Sequence, residues 1–148
     1  MNTKAETMRH MMRVNELCQM ASWEISRRGV VHDRSKLESP EAELFEEHTE
    51  KLAGLSYGSP EYQQSLELLG PALEHHYANN RHHSEHFPEG VDGMNLFDVL
   101  EMFVDWVAAG ERQNNGNILK SLEINKKRYK LSPQLYRILK NTAEQFLK

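Results

Sequence analysis

Apolar residues in this chain recur at helical spacing, and no segment alternates apolar with polar for more than four residues as a half-buried strand would. That feature excludes sheet architectures and sets up an all-α reading. Val14, Leu17, Cys18 and Ala21 follow the i, i+3, i+4, i+7 pattern, with Trp23 and Ile25 continuing it. Thr3 or Thr7 is placed to cap this first helix and Gly29 to end it. Ser39-Pro40-Glu41 is a helix start, with Ser as N-cap and Pro at the first position, and that helix runs to about Ala53 before Gly54. Tyr57 to Glu61 repeats the same grammar and predicts a long helix toward His83, kinked or divided at Pro71. Phe87 to Gly93 reads as a loop. Asn95 caps a helix with an apolar stripe of Leu96, Val99, Leu100, Phe103, Trp106 and Val107, ended by Gly110. Further helices run from about Asn117 to Lys130 and from Ser132-Pro133 through Phe146. The expectation is a single domain over residues 1–148, a bundle of six or seven helices.

A chain of 148 residues can bury a core without staples, and its one cysteine, Cys18, excludes a disulfide framework or a Cys-rich zinc module. No apolar run approaches the roughly 20 residues that span a bilayer. Asn2 to Arg13 is polar and lacks the core of a signal peptide. A reducing, cytoplasmic compartment and no membrane partner are therefore expected. The formal charge of -4 hides a division. Residues 1–36 carry +3, residues 37–111 carry -14 and residues 112–148 carry +7. A protein without a basic field overall is not expected to bind nucleic acid generally. Much of the acid, as at Glu41, Glu43, Glu46 and Glu47, reads as first-turn caps and solvated helix faces.

Five of the eight histidines fall between His75 and His86, within the acidic stretch. On one continuous helix, His76 and His83 would stand two turns apart, roughly 10.5 Å along the axis, and would serve two ions or flank a site rather than share one ion. His82 and His86, at i, i+4, have the spacing at which two imidazoles grip one metal. The adjacent pair His32-Asp33 offers a ring nitrogen and a carboxylate, both suited to a divalent ion. Asp105, between Val104 and Trp106 with Glu101 one turn earlier, is either a buried carboxylate that needs a partner or part of a polar face with Asp98. Trp106 and Tyr77 are placed either to stack on a base or, as aromatics at helical spacing more often do, to pack in the core.

In their order along the chain, His10, His32-Asp33, His75-His76 and Asp105 resemble the ligand set of the HD-domain superfamily. His32-Asp33-Arg34-Ser35-Lys36 looks like that family's His-Asp-x-Gly-Lys stretch, with Ser35 where Gly is usual. His75 to Ala108 looks like its cyclic-dinucleotide-hydrolysing subgroup, without the subgroup's Gly-Tyr-Pro. For the middle His of dinuclear members the candidate is His48. The chain is also similar to a family of short HD-like proteins of bacteriophages and bacteria. It shares their His-Asp-x-Ser-Lys, Asn-x-His-His and Glu-Met-x-x-Asp-Trp patterns at His32–Lys36, Asn80–His83 and Glu101–Trp106, over about residues 7 to 145.

The resemblance implies a compact HD-like helical bundle binding one or two divalent transition ions (Mn, Fe, Co, Ni or Zn). Its metal ligands would come from His10, His32, Asp33, His75, His76, His82, His83 and Asp105. The implied activity is phosphohydrolysis of a nucleotide or other small phosphate ester, by attack of metal-bound hydroxide on phosphorus. Asp33, Arg34 and Lys36 would act at the reacting centre. Lys36 and Arg81 would hold substrate phosphate, although Arg81 is equally placed to pair with Glu85 at i+4. The implied setting is a bacterial or phage-infected cytoplasm. Two other readings stay open on the same scaffold: a di-iron oxygenase, and a non-catalytic interaction module that keeps the metal site. The basic segment from Lys120 to Lys140 is either a solvated helix face or a rim that draws in an anionic substrate.

Overall fold

The computed structural model describes residues 3–53, 61, 64, 67–112 and 117–146. The described residues are all-α. Six α-helices are resolved among them: α1 (Thr3–Val31), α2 (Glu41–Ala53), α3 (Gly70–Asn79), α4 (Leu96–Glu111), α5 (Ile118–Arg128) and α6 (Pro133–Phe146). Short 3-10 turns at Arg34–Leu37, Ser84–His86 and Gly90–Gly93 join them. No described helix is long and apolar enough to cross a membrane. The chain divides into two units, Met1–His32 and Asp33–Lys148.

The first unit is essentially α1. Ion pairs at i, i+3 and i, i+4 support it, Arg13 with Glu16 at 2.8 Å and both Arg27 and Arg28 with Glu24 at 2.9 Å. Its apolar periodicity does not lead to burial. No residue of α1 is buried, and Met8, Leu17 and Trp23 are exposed. Gly29 does not end the helix, because glycine lowers helical stability by only about 1 kcal/mol. The helix runs to Val31, and at Asp33 the backbone turns into the left-handed region (φ 56°).

The helix starts of the second unit follow local chemistry. Asn95 and Asp98 form a reciprocal capping box on α4: Asn95 Oδ1 accepts from the Phe97 and Asp98 amides, and Asp98 Oδ2 accepts from the Asn95 amide. Asn117 Oδ1 accepts from the Leu119 amide at the start of α5. Ser132 Oγ accepts from the Leu135 amide at the start of α6. The expected start at Tyr57 to Pro60 and the stop at Gly54 lie outside the described residues.

The helical stretch is divided at Pro71: residues 67 and 68 are helical, Leu69 is a turn, and α3 starts at Gly70 with Pro71 in its first turn, where its missing N–H does no harm. The departure is at the other end. α3 stops at Asn79 instead of reaching His83, and Asn80 is extended. The Asn79 and Asn80 side chains each donate to a backbone carbonyl four residues back, those of His75 and His76, both at 2.8 Å. These amides satisfy helix-end carbonyls and let the chain leave the helix.

Phe103, Val107, Ile118, Leu122, Leu131, Leu139 and Ala143 form an apolar core between α4, α5 and α6. Trp106 packs against it, stacked on Tyr129 with centroids 5.6 Å apart. Leu96 leaves the predicted stripe and is 78% exposed. Asp98 and Glu101, offered as a polar face, are buried instead.

Candidate metal centre

The centre is built around Asp33, whose left-handed backbone opens the Arg34–Leu37 turn. Asp tolerates that conformation better than most residues. Lys36, one turn on, donates to Asp33 Oδ2 at 2.6 Å and holds that oxygen. Oδ1 is left facing His76 Nε2 and His82 Nε2, each at 3.3 Å. His83 closes the group, with its Nε2 2.9 Å from His76 Nε2. One ligand atom from each of Asp33, His76, His82 and His83 lies within 4.8 Å of the other three.

Buried carboxylates aim two of these rings. Glu41 has no exposed surface, and its Oε2 lies 2.9 Å from His76 Nδ1. Glu101 Oε1 lies 3.3 Å from His82 Nδ1. A carboxylate on Nδ1 keeps the proton on that nitrogen and leaves the Nε2 lone pair pointing the other way, toward Asp33 and His83. This is how metal-ligating histidines are usually oriented. Ser35 and Asn80 complete the frame. Asn80 Nδ2 donates to Ser35 Oγ at 2.7 Å, and Ser35 Oγ lies 3.3 Å from His76 Nδ1.

The electrostatics agree with a cation site. Burial raises the Asp33 carboxyl pKa, but the adjoining His76 and His82 rings and the Lys36 ammonium outweigh it and hold the group well below the usual carboxylate range. Glu41 follows the same logic: burial raises it, and bonds with His75, Ser35 and His76 bring it below its ordinary value. Burial and the neighbouring His82 and His76 push His83 down to about 3, against the pull of Asp33 and Asp105. His83 therefore presents a neutral ring near neutral pH, the form that binds metals. Two ring nitrogens 2.9 Å apart beside a carboxylate are satisfied by one shared proton or by one cation. Three nitrogens and an oxygen suit a divalent transition ion.

The other expected site residues are not among these four. His75, the less buried member of its pair, bonds Glu41 Oε1 at 2.7 Å. Asp105 is half-buried on α4 and offers a carboxylate oxygen within 4.8 Å of a ring nitrogen of His82. His10 is exposed on α1, and half-buried His32 closes the first unit. Arg34 is exposed and pairs with Glu38 at 3.4 Å. Arg81 pairs with Asp98 through two bonds, 3.1 and 2.9 Å, and lies over the Phe87 ring. His86 donates toward the Tyr77 carbonyl at 2.8 Å, and the expected i, i+4 grip with His82 does not form because residues 82–86 are not an α-helix. His48 is buried in α2, and its Nδ1 has no hydrogen-bond partner among the described residues.

The reading that His76 and His83 stand too far apart to share an ion is overturned, because the chain folds back after Asn80. Glu41 is also corrected, from a solvated first-turn acid to the most deeply placed carboxylate of the centre. Its position in an acid-rich helix start carries no local mark of that role. Glu101 and Ser35 had a signal, lying inside the Glu-Met-x-x-Asp-Trp and His-Asp-x-Ser-Lys patterns.

Among known proteins, neither the curated sequences nor the solved structures contain a match to this chain. A family model described as a family of unknown function (DUF5662) matches residues 1–145. The match covers nearly the whole sequence, and the chain belongs to that family.

Proposed function

We propose that this protein is a metal-dependent phosphohydrolase acting on a small phosphate ester, a nucleotide in the first instance, in the manner of the HD-domain proteins its motifs resemble. The observation that carries the reading is the meeting of Asp33, His76, His82 and His83 around one point, with Glu41 and Glu101 behind two of the rings. Such a centre would take one divalent ion from Mn, Fe, Co, Ni or Zn. When bound, a divalent ion lowers the pKa of the water it holds and offsets phosphoryl charge.

The chain's own groups would do the rest. Glu41 and Glu101 fix the tautomers of His76 and His82. Lys36 fixes Asp33 through Oδ2 and, being partly exposed, has donors left for a phosphate oxygen. Arg81 is the counter-ion of buried Asp98, and this reading assigns it no phosphate.

The test is elemental analysis of the purified protein, followed by a phosphatase screen over nucleotides with and without added metal. About one equivalent of metal, lost in Asp33→Asn, with phosphate release that follows metal content, is the expected result. Absence of bound metal after loading overturns the centre. Metal with oxygen uptake and no phosphate release replaces hydrolysis by oxygenase chemistry. Metal with neither activity leaves an interaction module.

A further inference from the structure

A second feature lies outside the metal centre. A cleft of about 390 Å³ opens where the loop after His83 meets the connection from α5 to α6. Arg128, Tyr129 and Lys130 form one side, and Phe87, Pro88 and Val91 the other. The first side brings two cations, Arg128 and Lys130, to the cleft, and they end a basic run. Lys126, Lys127, Arg128 and Lys130 fall within five residues with no acid among them. The helix dipole accounts for cations in the last turn of α5. It does not account for Lys130, which lies beyond the helix end.

Lys130 occupies the left-handed region, φ 51°, at the position where glycine normally closes a helix. The closing bonds are in place: the Leu131 amide donates to the Lys126 carbonyl at 3.1 Å and the Tyr129 amide to that of Asn125 at 2.9 Å. Glycine would make them without strain. Among the described residues, only Asp33 and Lys130 adopt positive φ without being glycine. One is at the metal centre and the other lines this cleft. A strained residue in place of glycine points to a use for its side chain.

We infer that this cleft binds a small phosphorylated compound with an aromatic body, its phosphate on Arg128 and Lys130 and its ring against Phe87, Pro88 and Val91. Arg128 is already ordered over the Tyr129 ring at 4.9 Å, which positions its guanidinium for a phosphate. The one acid lining the cleft, Glu85, has its Oε2 bonded to Ser84 Oγ at 3.1 Å. It disfavours a second anionic group, so the body of the ligand is uncharged. The inference does not rest on the metal reading, since none of these groups belongs to the His centre.

The test is calorimetric titration of the full chain, kept metal-free with chelator, using phenyl phosphate, methyl phosphate and inorganic phosphate as probes. Phenyl phosphate is expected to bind more tightly than the other two. Lys130→Gly is expected to raise the melting temperature and weaken phenyl phosphate binding roughly tenfold, because a charge-assisted bond is lost. Arg128→Gln should weaken it comparably, and Asp33→Asn should leave it unchanged. A purely structural Lys130 would give the gain in stability with unaltered binding, and that result overturns the inference. So does binding abolished by Asp33→Asn, which would place the phosphate at the metal centre, or equal affinity for all three probes.

Discussion

Phe103 and Asp98 lie on the same helix, little more than a turn apart, and both are almost completely buried. They belong to interiors of opposite kind. Phe103 belongs to the apolar core of α4, α5 and α6 together with Leu122 and Leu139. Asp98, like Glu41, His76, His82 and Glu101, is a polar group taken out of water. In the first, any side chain of fitting volume serves. In the second, each group is sustained by a named partner, because a buried charge or ring nitrogen without one is costly. The apolar region therefore depends on volume, and the buried polar groups depend on their pairings.

The comparison breaks most readily on the apolar side. Phe103→Ala should destabilise the protein by about 3–5 kcal/mol in urea titration, equally with and without metal. A metal-dependent loss would mean that the two interiors are not separate. Arg81→Ala should cost about 1.5–3 kcal/mol, since it removes two charge-assisted bonds from a fully buried carboxylate. Asp98→Asn in the same background should recover part of that loss, and no recovery would deny the pairing.

Glu41→Gln sharpens the difference from the polar side. It keeps the volume and one acceptor oxygen, so the fold should persist. Metal affinity, read by competition with a chelator, should fall about 10–100-fold. Unchanged affinity would make Glu41 structural only.

A smaller effect is the pH response of the metal-free protein. His83 titrates at about 3 when folded, against an ordinary value of 6.5. The unfolded chain therefore takes up the proton first as pH falls. Stability should be full above about pH 6.5 and decline toward pH 3, with the lowered Asp33 and Glu41 carboxyls adding loss in the acid range. His83→Asn should flatten the upper part of that curve. A stability that rises on acidification would contradict the burial of a neutral ring. The smallest effect is expected at Leu96, an apolar residue outside both interiors: Leu96→Ser should stay within about 0.5 kcal/mol in the same urea titration.

Legibility in the sequence followed the range of the interaction. The caps at Asn95, Asn117 and Ser132 were readable because an N-cap acts on amides two or three residues away. Asp33 and the histidine cluster stood out by residue type. Their arrangement did not, because it turns on where α3 ends. With helix continued to His83, His76 and His83 are far apart; with the Asn79 and Asn80 amides taking the carbonyls of His75 and His76, their ring nitrogens meet at 2.9 Å. Asparagine in a helical stretch is only mildly unfavourable, so propensity could not foretell this.

By itself the sequence determined the helical class, most helix starts and the residues rich in metal-binding chemistry, since periodicity and capping act within one or two turns. Tertiary structure alone decided that Glu41 is buried, that His76 rather than its neighbour faces Asp33, and that Glu101 supports His82. Those choices depend on residues 33, 41, 76, 82, 83 and 101 meeting in space. Desolvation makes each polar group in that interior depend on partners that no local pattern encodes.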